Sequence, residues 1–170
     1  MIPSDHFVRF YNEVFKYLAA RGDGDLKRYY ERVSKNQEAH CLSLFREKGL
    51  EGMYEYWEHI RIEENCDMVH SVDNGCYSFR FSGCPSLGKV LDNDAAPCPE
   101  YCNHCPGWIL PIMTKVGAYA VYNIIDRKSP CCEMFVYFDK DRAMAKWEEL
   151  IGFLGQDVVV ANFDKNGFVK

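Results

Sequence analysis

The chain has 170 residues, of which 48% are hydrophobic, 15% aromatic and 26% charged. A chain of that length buries roughly 70% of the surface it exposes when unfolded, enough for one core, and the composition excludes disorder and collagen-like repeats. A formal net charge of −5 excludes the basic footprint of a nucleic-acid binder, and no run approaches the roughly 18 apolar residues of a membrane span.

The first 65 residues read as helical. Phe7, Phe10, Tyr11, Val14, Phe15 and Leu18 recur at helical spacing, with Ser4 placed to cap the start and Gly22 the end. A second helix opens at Asp23 or Asp25 and stops at Gly49, with a polar middle at 34–38 where a break is expected. A third carries Met53, Tyr54, Trp57 and Ile60. The stripe that includes Tyr29, Tyr30, Tyr54 and Trp57 reads first as core, and alternatively as a homodimer face.

The period then changes to two. Met68–Val72, Asp73-Asn74-Gly75 and Cys76–Phe81 form a β-hairpin signal, since Asn-Gly favours the positive-φ turn. Two more strands, Tyr119–Ile125 and Met134–Phe138, flank the turn-like stretch 126–130. A helix over Asp141–Leu154 follows, and Val158–Val160 reads as a short edge strand. Strands joined by short polar loops predict an antiparallel sheet. The expected fold is therefore one α+β domain over 1–170. A helical part, 1–65, packs on one face of a sheet of about four strands. A cysteine-rich loop and helix lie between the two hairpins, within 66–139, and a helix and tail occupy 140–170.

Nine cysteines stand out. Residues Met1 to His6 lack the basic region and apolar run of a secretory signal, which predicts a cytoplasmic location and reduced thiols. Clustered cysteines in that setting point to metal or chemistry. Cys41, Cys66 and Cys76 read as packing residues. The cluster lies in 84–106, where Cys84, Cys98 and Cys105 each precede a proline. Proline suits the first helical position, so each cysteine is expected at a helix N-cap, where the dipole and free N–H groups lower a thiol's pKa from about 8.5. Cys98-x3-Cys102-x2-Cys105 also has the spacing of radical enzymes that bind a four-iron cluster, but those enzymes place it at the start of a long parallel barrel, and the pattern here is antiparallel. Cys84, Cys98, Cys102 and Cys105 together form an alternative all-thiolate set for zinc or an iron–sulfur cluster, with His104 able to replace one ligand. Of the Cys131-Cys132 pair, strand alternation lets only one face a site, and Cys132 is the one favoured.

From Asp67 to Asp139 the order of features resembles the L-2-amino-thiazoline-4-carboxylic acid hydrolase family. A strand runs into Cys84-Pro85, and a cysteine-bearing loop from Cys98 to Cys105 leads into a helix. Gly117 and a strand follow, and then Cys132 opens an aromatic-rich strand. The resemblance implies a hydrolase that opens a thiazoline or related cyclic amidine. In that reading a thiolate among Cys98, Cys102 and Cys105 is the nucleophile and His104 the acid or base. Arg80 binds a substrate carboxylate, and Tyr101 and Trp108 wall the pocket. The expected partner is a small-molecule substrate, with no nucleic acid and no membrane. The rival reading is a metal- or iron–sulfur-binding sensor, or a small-ligand-binding module, that uses the same cysteines.

Overall fold

The computed structural model describes residues 3–92, 96–126 and 128–164. The expected caps at Ser4 and Asp23 involve side chains outside the described residues, as does Arg127 in the expected turn. Helices α1 (Pro3–Arg21), α2 (Asp23–Lys48) and α3 (Leu50–Glu63) lead the chain. The expected break in α2 does not occur. Ser34 is buried there, and the Gln37 amide donates to the Tyr56 hydroxyl of α3 at 2.9 Å. The polar middle thus faces a neighbouring helix. Tyr30 and Trp57 are buried and Tyr54 stacks on His70, so these stripe residues are taken up within the chain.

Strands β1 (Asp67–Asp73) and β2 (Cys76–Gly83) form the expected hairpin. Its turn residues Asn74 and Gly75 have φ of 47° and 68°, the conformation an Asn-Gly turn supplies at little steric cost. With β3 (Tyr119–Asp126), β4 (Cys131–Tyr137) and β5 (Val159–Ala161) they make a five-stranded antiparallel sheet in the order β1-β2-β4-β3-β5. The architecture is α+β, with β5 adding a short strand at one edge. Met68, Tyr77, Phe79, Tyr122, Met134 and Val136 share a core with Phe45, Met53 and Trp57 of α2 and α3.

The expectation that helices cover one face only is corrected. Helix α6 (Lys140–Leu154) lies on the other face, where Leu150 packs with Val121, Val159 and Ala161. Strand alternation is the reason, because Val121 and Phe135 point opposite to Tyr122 and Met134 and need a cover of their own. Asp139 caps α6 by accepting from the Asp141 and Arg142 N–H groups.

Between β2 and β3 lie α4 (Pro85–Asp92), a single 3-10 turn over Tyr101–Asn103, and α5 (His104–Lys115). Three contacts fix this segment. The Cys84 N–H donates to the Pro130 carbonyl at 2.6 Å, which ties the end of β2 to the β3–β4 turn. Asn12 of α1 is buried, accepts from the Cys98 N–H at 2.8 Å and donates to the Ala96 carbonyl at 3.0 Å. Gly107 lets α5 approach α2: a Cβ there would lie 2.7 Å from the Tyr30 ring.

Candidate functional site

Cys84 follows β2 directly and immediately precedes the proline-started α4, as expected. Cys105 does not cap its helix. Helix α5 begins one residue earlier, at His104, so Cys105 lies in its first turn and Pro106 at the third position. Cys98-Pro99 opens a turn, closed by the Tyr101 N–H on the Cys98 carbonyl at 2.9 Å, and not a helix.

These elements bring Cys84, Cys102, Cys105, Cys131 and Cys132 around one small cavity of about 20 Å³, with His104, Tyr101 and Tyr122. Both Cys131 and Cys132 line it, against the expectation of one, because Cys131 sits at the very start of β4, beyond the regular register. Phe81 pairs with Cys132 across β2 and β4, which sets Cys132 beside the end of β2. The Cys132 thiol lies 3.2 Å from the Tyr122 hydroxyl.

At the centre is a hydrogen-bonded pair of neighbours. His104 Nε2 lies 3.1 Å from the Cys105 sulfur, and His104 Nδ1 lies 2.5 Å from the Tyr101 carbonyl. A carbonyl only accepts, so Nδ1 carries the proton and Nε2 presents its lone pair to the thiol. The ring is held by an aromatic cage: Tyr101 meets it edge-on at 5.0 Å, Trp108 lies at 4.7 Å and Phe15 at 5.5 Å. Tyr101 is in turn fixed by Ser86 of α4, whose hydroxyl is 2.7 Å from the phenol. The arrangement is a thiol, an imidazole and a backbone carbonyl that orients the imidazole.

The expectation of acidic thiols is reversed. Burial pushes the Cys105 thiol up to about 11, against a smaller lowering by the Tyr122 hydroxyl. Burial also pushes His104 down to about 4, partly opposed by its bond to the Tyr101 carbonyl. At Cys84 burial and then Cys105 raise the thiol to about 11, although the Leu87 and Ser86 N–H groups act the other way. Burial likewise holds Cys132 well above the ordinary thiol range. Desolvation therefore outweighs the helix terminus, and the resting pair is a neutral thiol on a neutral imidazole.

A second, larger cavity of about 440 Å³ shares the His104–Cys105 wall. It lies among α1, α2, α3, α4, α5 and the helix-facing side of β2 and β3, and Trp57, Phe79, Phe81 and Trp108 form much of its lining. Tyr101 and Trp108 wall the small and large cavities respectively.

Two expected site residues fall outside. Cys98 is buried with Val8, Phe15 and Val90, turned into the α1–α4 cluster by the bond to Asn12. It therefore does not line the small cavity with Cys84, Cys102 and Cys105. Among the described residues no group of three or more His, Cys, Asp or Glu is placed to hold a metal ion. Arg80 is also corrected. It alternates with Tyr77 and Phe79, so it points away from the cavities, is exposed, and lies 3.9 Å from Glu133. Cys41 and Cys66 are buried as expected, whereas Cys76 is half-buried beside Tyr137. All nine cysteines are free thiols.

Tyr122 and Trp57 were not among the expected site residues. Tyr122 had a signal: alternation along β3 sets it on the same face as the apolar Ala120 and Ile124. Comparison with known proteins finds no matching family model, no matching curated protein and no matching solved structure.

Proposed function

We propose that the chain is a cysteine-dependent hydrolase that opens a thiazoline or related cyclic amidine, with Cys105 as nucleophile and His104 as its base and acid. The observation that carries this reading is the Cys105–His104 contact at 3.1 Å, with the tautomer set by the Tyr101 carbonyl. The resemblance to thiazoline-carboxylate hydrolases supplies the bond type.

In the first half-reaction the Cys105 thiol gives its proton to His104 Nε2 as sulfur adds to the ring carbon between nitrogen and sulfur. The ring C–S bond breaks, and the departing ring sulfur takes the proton from His104. Water, giving a proton to the same nitrogen, then adds to that carbon and expels Cys105, which recovers the proton. The net change is addition of one water, with a carbamoyl group as product. Tyr122, whose hydroxyl lies beside the thiols of Cys105 and Cys132, is placed to donate to nitrogen as negative charge develops. The small cavity of about 20 Å³ has room for roughly one water with polar neighbours, the size needed for the second step.

The neutral resting pair makes the base active wherever His104 is unprotonated, so the acid limb of the rate profile is expected near pH 4. The test is release of free thiol from 2-amino-thiazoline-4-carboxylate and larger 2-aminothiazolines. Activity present in the parent and lost in Cys105→Ala and His104→Gln supports the reading. Full activity in Cys105→Ser refutes it.

A sensor reading draws on a different observation, the meeting of Cys84, Cys102, Cys105, Cys131 and Cys132 at one cavity. Elemental analysis and absorbance of anaerobically purified protein separate the two. Stoichiometric zinc or iron favours the sensor, and metal-free protein with substrate-protected alkylation of Cys105 favours the hydrolase.

A further inference from the structure

The larger cavity is out of proportion to a single-ring amino acid. Its volume of about 440 Å³ falls in the range that encloses drug-sized ligands, roughly 300–1,000 Å³. Of the described residues that line it, only Glu64 and Lys89 carry a formal charge. Arg80, the expected partner for a substrate carboxylate, faces the other side of the sheet. A small zwitterion would leave most of the aromatic wall unfilled.

Two unpaired polar atoms belong to residues that line the cavity. Gln37 and Trp108 both line the cavity. The Gln37 amide N–H is used by Tyr56, but its carbonyl oxygen is buried with no hydrogen-bond partner, and the Trp108 indole N–H is buried without one as well. A buried polar group left unpaired costs about 1–3 kcal/mol. Both atoms are covered, so a ligand bearing one donor and one acceptor on an apolar body offsets both once the Gln37 and Trp108 side chains turn these atoms toward it. The pattern of mostly apolar walls with a few polar anchors is that of a small-molecule site.

We infer that the substrate carries an aromatic body of two or more fused or linked rings, seated in the larger cavity against Trp57, Phe79 and Trp108, with its polar edge between the Gln37 carbonyl and the Trp108 N–H. The inference rests on the reading of Cys105 as nucleophile only for which end of the ligand reacts. The seat itself exists without that thiol. The electrophilic carbon is then the end that meets Cys105 at the shared wall.

Calorimetry on Cys105→Ala protein tests it with three probes: quinolin-2-one, which offers a carbonyl and an N–H on one edge, naphthalene of the same shape, and thiazolidine-4-carboxylate. Quinolin-2-one is expected to bind at one site per chain, about tenfold tighter than naphthalene, as one hydrogen bond's worth of affinity predicts. Thiazolidine-4-carboxylate is expected to bind at least tenfold weaker than naphthalene. Trp108→Phe is expected to lower quinolin-2-one affinity about fivefold to tenfold and to leave naphthalene within about twofold. Ile109→Trp, which fills the cavity, is expected to remove binding of both bicyclic probes, and Ile60→Phe serves where that variant fails to fold. The inference is overturned if the carboxylate binds tighter than both bicyclic probes, if no bicyclic probe binds, or if filling the cavity changes nothing. Because the probes bind in the absence of Cys105, these outcomes are independent of whether Cys105 is the nucleophile.

Discussion

Two buried histidines sit on the same side of the sheet with opposite wiring. His104 is enclosed by Phe15, Tyr101 and Trp108, meets no carboxylate among the described residues, gives its Nδ1 proton to a backbone carbonyl and turns Nε2 toward the Cys105 thiol. His70 is stacked on Tyr54 at 4.3 Å, has Nε2 2.8 Å from the Glu58 carboxylate and Nδ1 3.4 Å from the Tyr77 hydroxyl. Arg61 first, and then His70, hold the Glu58 carboxyl down to about 2. Both nitrogens of His70 are thus committed to polar partners from α3 and the sheet. Of the two, His104 is the one that keeps a lone pair aimed at a thiol beside open space. Burial is common to both histidines; the partner of each nitrogen is what differs.

The comparison can be broken most sharply at the two histidines' partners. Cys105→Ala is expected to lower kcat by at least about 10³-fold and His104→Gln by about 10²–10⁴-fold in the ring-opening assay. His70→Gln is expected to leave kcat and KM within about twofold while lowering stability by about 1–3 kcal/mol in urea unfolding. A kcat loss in His70→Gln matching that of His104→Gln would erase the distinction.

A smaller effect is the pH dependence of stability. His104 has a folded pKa of about 4, below its ordinary 6.5. Its stabilising contribution is therefore complete above pH 6.5 and is lost as pH falls from there toward 4, by about 3 kcal/mol in total. Denaturant melts of the parent and of His104→Leu at pH 7 and pH 4.5 should show the parent losing more, by about 2 kcal/mol. Equal losses would place the acid sensitivity elsewhere. The smallest expected effect is at the opposite face. Arg80→Ala should change stability by less than about 0.5 kcal/mol and leave substrate KM unaltered, because the Arg80 side chain is exposed and its contact with Glu133, at 3.9 Å, is long.

Much of the fold was readable because it is written in local periods. The α1 stripe, the Asn74-Gly75 turn and the α6 stripe each signal within a dozen residues. The site was readable only in part. His104 and Cys105 are adjacent in the chain, so their pairing was accessible. Cys98 is only a few residues away in sequence, but Asn12, far away on α1, turns it into another cluster. Cys132 joins the site through the β2–β4 register, which no local pattern encodes. Arg80 was drawn toward the site by its closeness to Cys84, although the alternation of Tyr77, Phe79 and Phe81 already pointed it outward. The direction of the thiol shifts was also hidden. A helix start is visible in Cys84-Pro85, whereas the desolvation that outweighs it depends on packing of distant elements.

The most direct test of the Cys105–His104 pair is capture of an aromatic nitrile. Attack by a thiol on the nitrile carbon, with proton transfer to its nitrogen, leaves a thioimidate that peptide mass spectrometry locates. At pH 7 the account predicts one adduct, on the peptide that carries Cys105, formed at least about tenfold more slowly in His104→Gln, in keeping with a general acid–base contribution. An adduct on another cysteine, a rate indifferent to His104, or no adduct at all would contradict it.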